Sequence, residues 1–425
     1  MNKKILKKLY IDILPNLLLW PTVAYRKCLR KVTFIGVTGS CGKTTTKDLA
    51  ANLLSTRFRG VKSFDSYNIF LAVILTILSS RFWHRFCIME IATWEPGTID
   101  QNVSLLKPHV AIVTNVRNDH YKAFRGRENV RNEKVKIVQV LPASGIAILN
   151  ADDPLVLSMK EDTRAKVITY GFFEQADVRA TDVRSDWPSR LNFTVSYRSE
   201  TMPVRSRLLG THLAGSALAA LSMALALNFS LSDAVGALKH IEPTTRRMNP
   251  EFHPDKIAFI RDDFKAPWDS MPEIIGFMKT ARATRKIAVI GTISDYPGSS
   301  GTKYRKFATA ASAVMDKVIF VGRFAPDYLK KLTKLPESKI RAFKLLPEAN
   351  GYLSGYLQPG DLVIVKASAS DHLWRLVLNR KREIGCWATR CAFKAKPCDK
   401  CRYLYQHWGP EDIPGIRNPL SILWQ

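Results

Sequence analysis

One short segment constrains this chain more than any other. Gly36-Val-Thr-Gly39-Ser-Cys-Gly42-Lys43-Thr44-Thr45-Thr46 follows the apolar run VTFIGV (32–37) and precedes a helical stretch. Between a strand and a helix, such glycines let backbone N–H groups close around phosphate oxygens, and the helix N-terminus adds a favourable field. Thr38, Gly39, Gly42 and Thr45 line that loop. Lys43 is placed to reach the terminal phosphates of a nucleotide, and the Thr44 hydroxyl to ligate Mg²⁺. The strict G-x-x-x-x-G-K-[ST] pattern would need glycine at position 37, where this chain has Val37. The alternative is a glycine turn that binds no nucleotide.

The surrounding sequence alternates strands with helices. FCIME (86–90), VAIVTN (110–115) and IAILN (146–150) are short β-rich runs suited to buried parallel strands. Helical stretches from Thr45 to Leu54 and from Glu128 to Leu141 separate them. The pattern predicts a doubly wound α/β domain with a phosphate loop. Residues 176–207 read as antiparallel strands, and Leu213 to Leu227 as a buried helix. A second series, IAFI (257–260), IAVIG (287–291), KVIFVG (317–322) and DLVIVKAS (361–368), predicts a smaller Rossmann-like α/β domain. The expected organisation is an amphipathic arm (1–31), a central ATP-binding domain (32–248), a C-terminal domain (249–385) and a Cys-rich tail (386–425).

Charge narrows the partners. Lys plus Arg number 64 against 37 Asp plus Glu, a formal net charge of +27 across 425 residues. Such an excess attracts a polyanion: nucleic acid, an anionic membrane or an acidic substrate. Apolar residues make up 46%, too many and too regularly spaced for wholesale disorder. Seven cysteines are too few for a disulfide-stapled secreted scaffold, and no signal peptide or simple membrane span is legible, so the expected location is cytoplasmic. In the arm, Leu6, Leu9, Tyr10, Ile13, Leu17 and Trp20 recur near helical spacing between basic flanks. That suits either a helix on anionic lipid or a short arm packed on the next domain.

The variant T-G-x-x-G-K-T-T resembles the Mur ligase superfamily, whose members join an amino group to a carboxylate using ATP. Further blocks resemble it in order. Asn68 lies in YNIFLAVILTIL, and Glu90 ends a strand in MEIATWEPGTI. LKPHVAIVTNVRNDH supplies Asn115 and His120, NEKVKI supplies Lys134, and ILNADD (148–153) follows. The resemblance covers about 33–370, with the D-alanyl-D-alanine-adding, MurF-type ligases as the nearest branch. It implies Mg²⁺ at Thr44, Glu90 and His120, and Lys134 as the lysine carbamylated in several members. Nucleotide contacts are implied at Asn68, Asn115, Arg247 and Asp262. A strand-end carboxylate suits a cation bridging β- and γ-phosphates.

Other blocks depart from the family. Leu213 and Ser216 stand where members commonly carry Asn, Lys265 and Trp268 intrude in RDDFKAPWDSM (261–271), and KASAS (366–370) replaces K-G-S-R. The arm before the phosphate loop is too short to be the UDP-sugar-binding domain of the peptidoglycan enzymes, which this chain is expected to lack.

The tail carries Cys386-x4-Cys391-x6-Cys398-x2-Cys401, candidate ligands for a structural Zn²⁺. The alternative is ordinary thiols in a basic tail. The whole predicts an ATP- and Mg²⁺-dependent amide ligase acting on an anionic carboxylate and an amine or amino acid, with no specific nucleic acid. A nucleotide-binding regulator without ligase activity and a basic nucleic-acid binder are the competing classes.

Overall fold

The run after Lys31 forms β1 (Thr33–Thr38), buried along nearly its whole length. It pairs in parallel with β3 (Phe86–Glu90) on one side and β4 (Val110–Val113) on the other, setting Val37 opposite both Glu90 and Ile112. In the computed structural model, residues 13–118, 121–330, 338–391 and 397–414 are described. The chain divides into two compact units, Met1–Ser185 with Arg190–Thr244, and Asp186–Ser189 with Thr245–Gln425.

The first unit holds a nine-stranded sheet in the order β2-β3-β1-β4-β5-β6-β7-β8-β9. β2 is Gly60–Lys62, β5 Ile146–Asn150 and β6 Lys166–Gly171, and pairing is parallel through to β7 (Val178–Arg184). β8 (Asn192–Tyr197) and β9 (Glu200–Arg205) then add antiparallel. One face is sealed by Phe34, Cys87, Met89, Ala111, Val113 and Ala147 with helix residues such as Ile74, Val103 and Ile137. Strands covered on both faces need continuous rather than alternating apolar runs, which is the pattern of this sequence.

The helix α1 (Leu14–Cys28) starts with Pro15 in its first turn, where a missing N–H costs nothing. Its inner face, Leu18, Leu19, Val23 and Tyr25, packs on that core. The Arg26 guanidinium clamps it down by donating to the Leu106 and Lys107 carbonyls at 2.9 and 2.8 Å while lying 3.5 Å above the Phe34 ring. Helix α2 (Lys43–Ser55) begins directly after the glycine loop, and α3 (Phe70–Ser79) precedes β3. The stretch 128–141 breaks at Val135, so that α5 (Arg127–Lys134), which follows α4 (Thr98–Leu106), ends there. The expected buried helix is α6 (Ala214–Ala226), which packs on α2.

The second unit has six strands in the order β10-β11-β15-β12-β13-β14. β11 (Ala258–Asp262), β15 (Asp361–Lys366), β12 (Arg285–Ile290), β13 (Lys317–Val321) and β14 (Ile340–Phe343) are parallel, and only β10 (Asn249–Phe252) runs antiparallel, at the edge. Among the described residues no helix is long and apolar enough to cross a membrane.

Candidate active site

In the first sheet the order reverses about β1: β2 and β3 lie to one side, β4 onward to the other. The carboxyl end of β1 is therefore the crevice where open α/β sheets bind ligands, and the glycine loop leaves from it. Gly39 has φ +143°, and a Cβ built there would sit 1.9 Å from Thr114 Oγ1. Gly42 has φ +82° and faces Ser216 Oγ. Both positions require glycine.

The loop is held from β4. Asn115 Oδ1 accepts from Cys41 N at 2.8 Å, Asn115 Nδ2 donates to the Cys41 carbonyl at 3.2 Å, and Ser40 N donates to the Asn115 carbonyl at 2.9 Å. Asn115 thus shapes the loop itself. Thr38 Oγ1 donates to the Ile91 carbonyl at 2.8 Å, tying two strand ends together, and Thr45 is buried in the first turn of α2.

Lys43, Thr44, Asn68 and Glu90 come together. Thr44 Oγ1 donates to Glu90 Oε2 at 2.7 Å and lies 2.9 Å from Ser66 Oγ, while Asn68 Nδ2 donates to Glu90 Oε1 at 2.9 Å. Asn68 lies two residues before α3 rather than within it, which lets its amide turn back to the strand end. Lys43 Nζ donates to the Gly39 and Ser40 carbonyls at 2.6 and 3.1 Å. Burial pushes the Glu90 carboxyl upward, but the Lys43 charge and the Thr44 hydrogen bond, with help from Lys47 and Asn68, leave it below its ordinary value. The buried Glu90 carboxyl is thereby held towards its ionised form.

Sequence reading missed two supports of this cluster, Lys47 and Glu133, while Lys134 was already among its site residues. Lys47, fully buried, donates to the Ser63 carbonyl at 2.7 Å and to that of Asp65, fixing the loop that carries Ser66. Its one sequence signal was the i, i+4 spacing from Lys43, which puts both on one helix face. Lys134 is also fully buried and donates to Thr93 Oγ1 at 3.1 Å, in the loop that continues from Glu90. Neighbouring Glu133 accepts from Gly97 N and Ile99 N at 3.1 and 2.9 Å, capping α4. His120 lies outside the described residues.

Arg247 and Asp262 belong to the second unit. The Arg247 guanidinium stacks 4.2 Å from the Phe264 ring centre. Asp262 accepts from Lys366 Nζ at 2.7 Å, both buried, while Arg246 and Arg261 converge on Asp263 at 3.1 and 3.0 Å.

The zinc expectation finds no support. Among the described residues no group of three or more His, Cys, Asp or Glu is placed to hold a metal ion. Cys386, Cys391, Cys398 and Cys401 are close in sequence, but Cys398 Sγ faces Arg375 Nε at 3.3 Å and His372 Nδ1 at 3.4 Å. Burial pushes its thiol up to about 11, with the Arg375 charge and hydrogen bond opposing in part.

Thr44, Glu90 and Ser66 bring hard oxygen donors to one point, the set that Mg²⁺ takes. Gly39 leaves a cradle that any side chain would fill, and Thr46 Oγ1 is buried without a hydrogen-bond partner. These residues fit a Mg²⁺–nucleoside triphosphate.

Residues 37–224 match the Mur ligase middle domain. The UDP-N-acetylmuramoyl-tripeptide–D-alanyl-D-alanine ligase of Mycobacterium leprae is 31% identical over 375 residues, covering 81% of this chain and 72% of that protein. The chain belongs to the Mur ligase family. A second such enzyme, from Mycobacterium tuberculosis (strain CDC 1551 / Oshkosh), is 29% identical over 79% of this chain and 70% of its own length. This Mur ligase also superposes on a crystal structure of MurF from Acinetobacter baumannii with a TM-score of 0.79, at 26% identity, covering 86% of this chain and 80% of that one. MurF of Thermotoga maritima, solved with ADP, shares the fold at 20% identity and a TM-score of 0.75, over 87% of this chain and 84% of its own. As a MurF-like Mur ligase, the protein is an ATP-dependent carbon–nitrogen ligase of cell-envelope precursor synthesis.

Proposed function

We propose that this ligase couples a peptide-bearing, anionic envelope precursor to an amino acid or short peptide amine through an acyl phosphate. The observation that carries this reading is the buried Thr44–Glu90–Asn68–Ser66 cluster beside Lys43. The substrate carboxylate attacks the γ-phosphorus of ATP, the bond to the β-phosphate oxygen breaks, and ADP leaves. The amine then attacks the acyl carbon, loses a proton and expels inorganic phosphate. Lys43, drawn from its loop carbonyls to the phosphates, offsets charge that develops on the transferring group. Mg²⁺ held by Thr44 and Glu90, with His120 proposed as ligand to a second ion, would supply further neutralisation of the phosphates.

Lys134, in carbamylated form, would contribute carboxylate oxygens beside Thr93. Arg247 and Asp262 are proposed nucleotide contacts. The relatives are named for a UDP-muramoyl tripeptide and D-alanyl-D-alanine. A similar acid and a dipeptide amine are the first candidates, since a charge of +27 favours an anionic acid substrate. ATP and such precursors would place the enzyme in the cytoplasm.

The test is ADP release from purified protein with acid, amine, both or neither. A ligase forms one ADP per amide only with both present, and Lys43→Ala should cut that rate by about 10²-fold or more. ATP turnover indifferent to acid and amine would instead identify a nucleotide-driven regulator.

A further inference from the structure

Helix α1 has two apolar faces where a surface helix should have one. The inner face is packed on the sheet. The outer stripe runs Ile13, Leu17, Trp20 and Ala24, with Leu17 and Trp20 exposed at 67% and 78%. Beside it, the turn between α3 and β3 presents Phe82 and Trp83, exposed at 56% and 62%. The two elements are fixed to each other: Tyr25 donates its hydroxyl to the Ser80 carbonyl at 2.8 Å, and its ring meets Phe82 edge-on at 5.7 Å. Four large apolar side chains therefore stand in water on one rigid support. Single exposed apolar residues are normal on proteins, but a cluster rich in tryptophan is an interaction surface.

The charge around the patch identifies the partner. The sequence holds no carboxylate between Asp12 and Asp48, and none between Asp65 and Glu90, the two stretches that build this face. Lys27, Arg30, Lys31, Arg81 and Arg85 are all exposed there. Thr33 N donates to the Arg85 carbonyl at 2.8 Å and Arg85 N to the Arg59 carbonyl at 2.7 Å, which gathers Arg30, Lys31, Arg59 and Arg85 at the amino ends of β1 and β3. A protein partner with a matching apolar patch would need carboxylates spread along the whole rim. An anionic bilayer supplies both the negative sheet and the interfacial layer in which tryptophans settle.

We propose that this face, formed by α1 and the α3–β3 turn, seats the enzyme on an anionic lipid bilayer. The glycine loop leaves the opposite, carboxyl end of β1, so the phosphate site stays open to solvent while the protein is docked. This inference does not depend on which acid or amine the ligase uses.

The experiment is sedimentation of the full chain with vesicles of phosphatidylcholine alone and of phosphatidylcholine mixed with phosphatidylglycerol. Binding is expected only to the mixed vesicles, and is expected to weaken as salt rises from about 0.01 M to about 1 M, where the Debye length falls from about 30 to about 3 Å. Leu17→Gln with Trp20→Gln, and separately Phe82→Ser with Trp83→Ser, should each weaken partition by about tenfold or more. Arg30→Gln with Lys31→Gln and Arg81→Gln should lower affinity for the mixed vesicles without altering any packed residue. Binding of a fluorescent ATP analogue should be unchanged in every variant, showing that each is folded. Failure of the wild type to bind mixed vesicles at low salt overturns the proposal. So does unaltered binding by all three variants, or a wild-type dimer that the apolar substitutions convert to monomer, since a second copy would then be the occupant.

Discussion

Thr44 and Glu90 meet at 2.7 Å, the first from the opening turn of a helix and the second from the end of a strand 46 residues later. A buried carboxylate survives there because Lys43, Thr44, Lys47 and Asn68 together outweigh the cost of its burial. Glu90→Gln keeps the shape and removes the charge, leaving two lysines without their buried counter-charge. Mg²⁺ should then no longer tighten ATP binding, and coupled ADP release should fall by about 10²–10³-fold. Thr44→Ser, which keeps the hydroxyl, should retain most of the Mg²⁺ effect. A wild-type Mg²⁺ titration in Glu90→Gln would remove Glu90 from the metal site.

Gly39→Ala tests the loop. The added Cβ would overlap Thr114 Oγ1 at 1.9 Å and force φ +143° on a residue with a side chain. Destabilisation of about 2–4 kcal/mol by urea unfolding is expected, with loss of ATP binding. Gly215→Ala is the control: it lies within α6, and its Cβ would meet nothing within 4 Å. That change should be neutral or stabilise by about 0.5–1 kcal/mol. Equal effects at the two sites would mean the loop tolerates rearrangement.

What the sequence revealed followed the range of each interaction. The long apolar runs at β1, β3, β4 and β5 and the loop between β1 and α2 are local patterns, and local patterns are readable. β2 has only three residues, Gly60–Lys62, and depends on β3 for its existence, so nothing in GVK announces it. β10 contains Pro250, a residue tolerated because the strand lies at the sheet edge. Lys134 and Lys47 look like solvated cations in their helices; only the fold shows both fully buried against Thr93 and the Ser63 carbonyl. The cysteine spacing suggested a metal knuckle, but Cys398 turns to Arg375 and His372, partners that spacing cannot show.

Cys87 is a reporter for the first sheet. It sits in β3 opposite Phe34, and burial pushes its thiol up to about 12, with Ser80 and Arg26 opposing only in part. In the native state iodoacetamide should label exposed Cys28 and spare Cys87 until urea opens the sheet. The pH dependence has a definite sign. The folded thiol holds its proton to higher pH than the unfolded one, whose ordinary value is 9.0. That stability is therefore full below about pH 9 and lost as pH rises towards 12, by up to a few kcal/mol. Cys87→Ala should cost packing at neutral pH yet flatten this alkaline limb. An unchanged difference between the two proteins from pH 8 to pH 10.5 would show that Cys87 can ionise in the folded sheet.

Arg285 and Asp361 clamp the second unit. They pair from adjacent strands, with Arg285 Nε and Nη2 donating to the two Asp361 oxygens at 2.7 Å each, and Asp361 also accepts from Gln358 N at 2.8 Å. The carboxylate side chain is 1% exposed and the guanidinium 24%, so the two members of the pair are not equivalent. Arg285→Met would leave a buried anion with one backbone donor, costing about 2–4 kcal/mol after allowance for the part-solvated arginine. Arg285→Lys should recover only part of that, because a single ammonium cannot match the two-pronged geometry. Hydrogen exchange should speed up in β12 and β15 and stay unchanged in β1 and β3. Equal acceleration in both sheets would mean that the two units unfold as one, and no acceleration would mean that Gln358 and water suffice to hold Asp361.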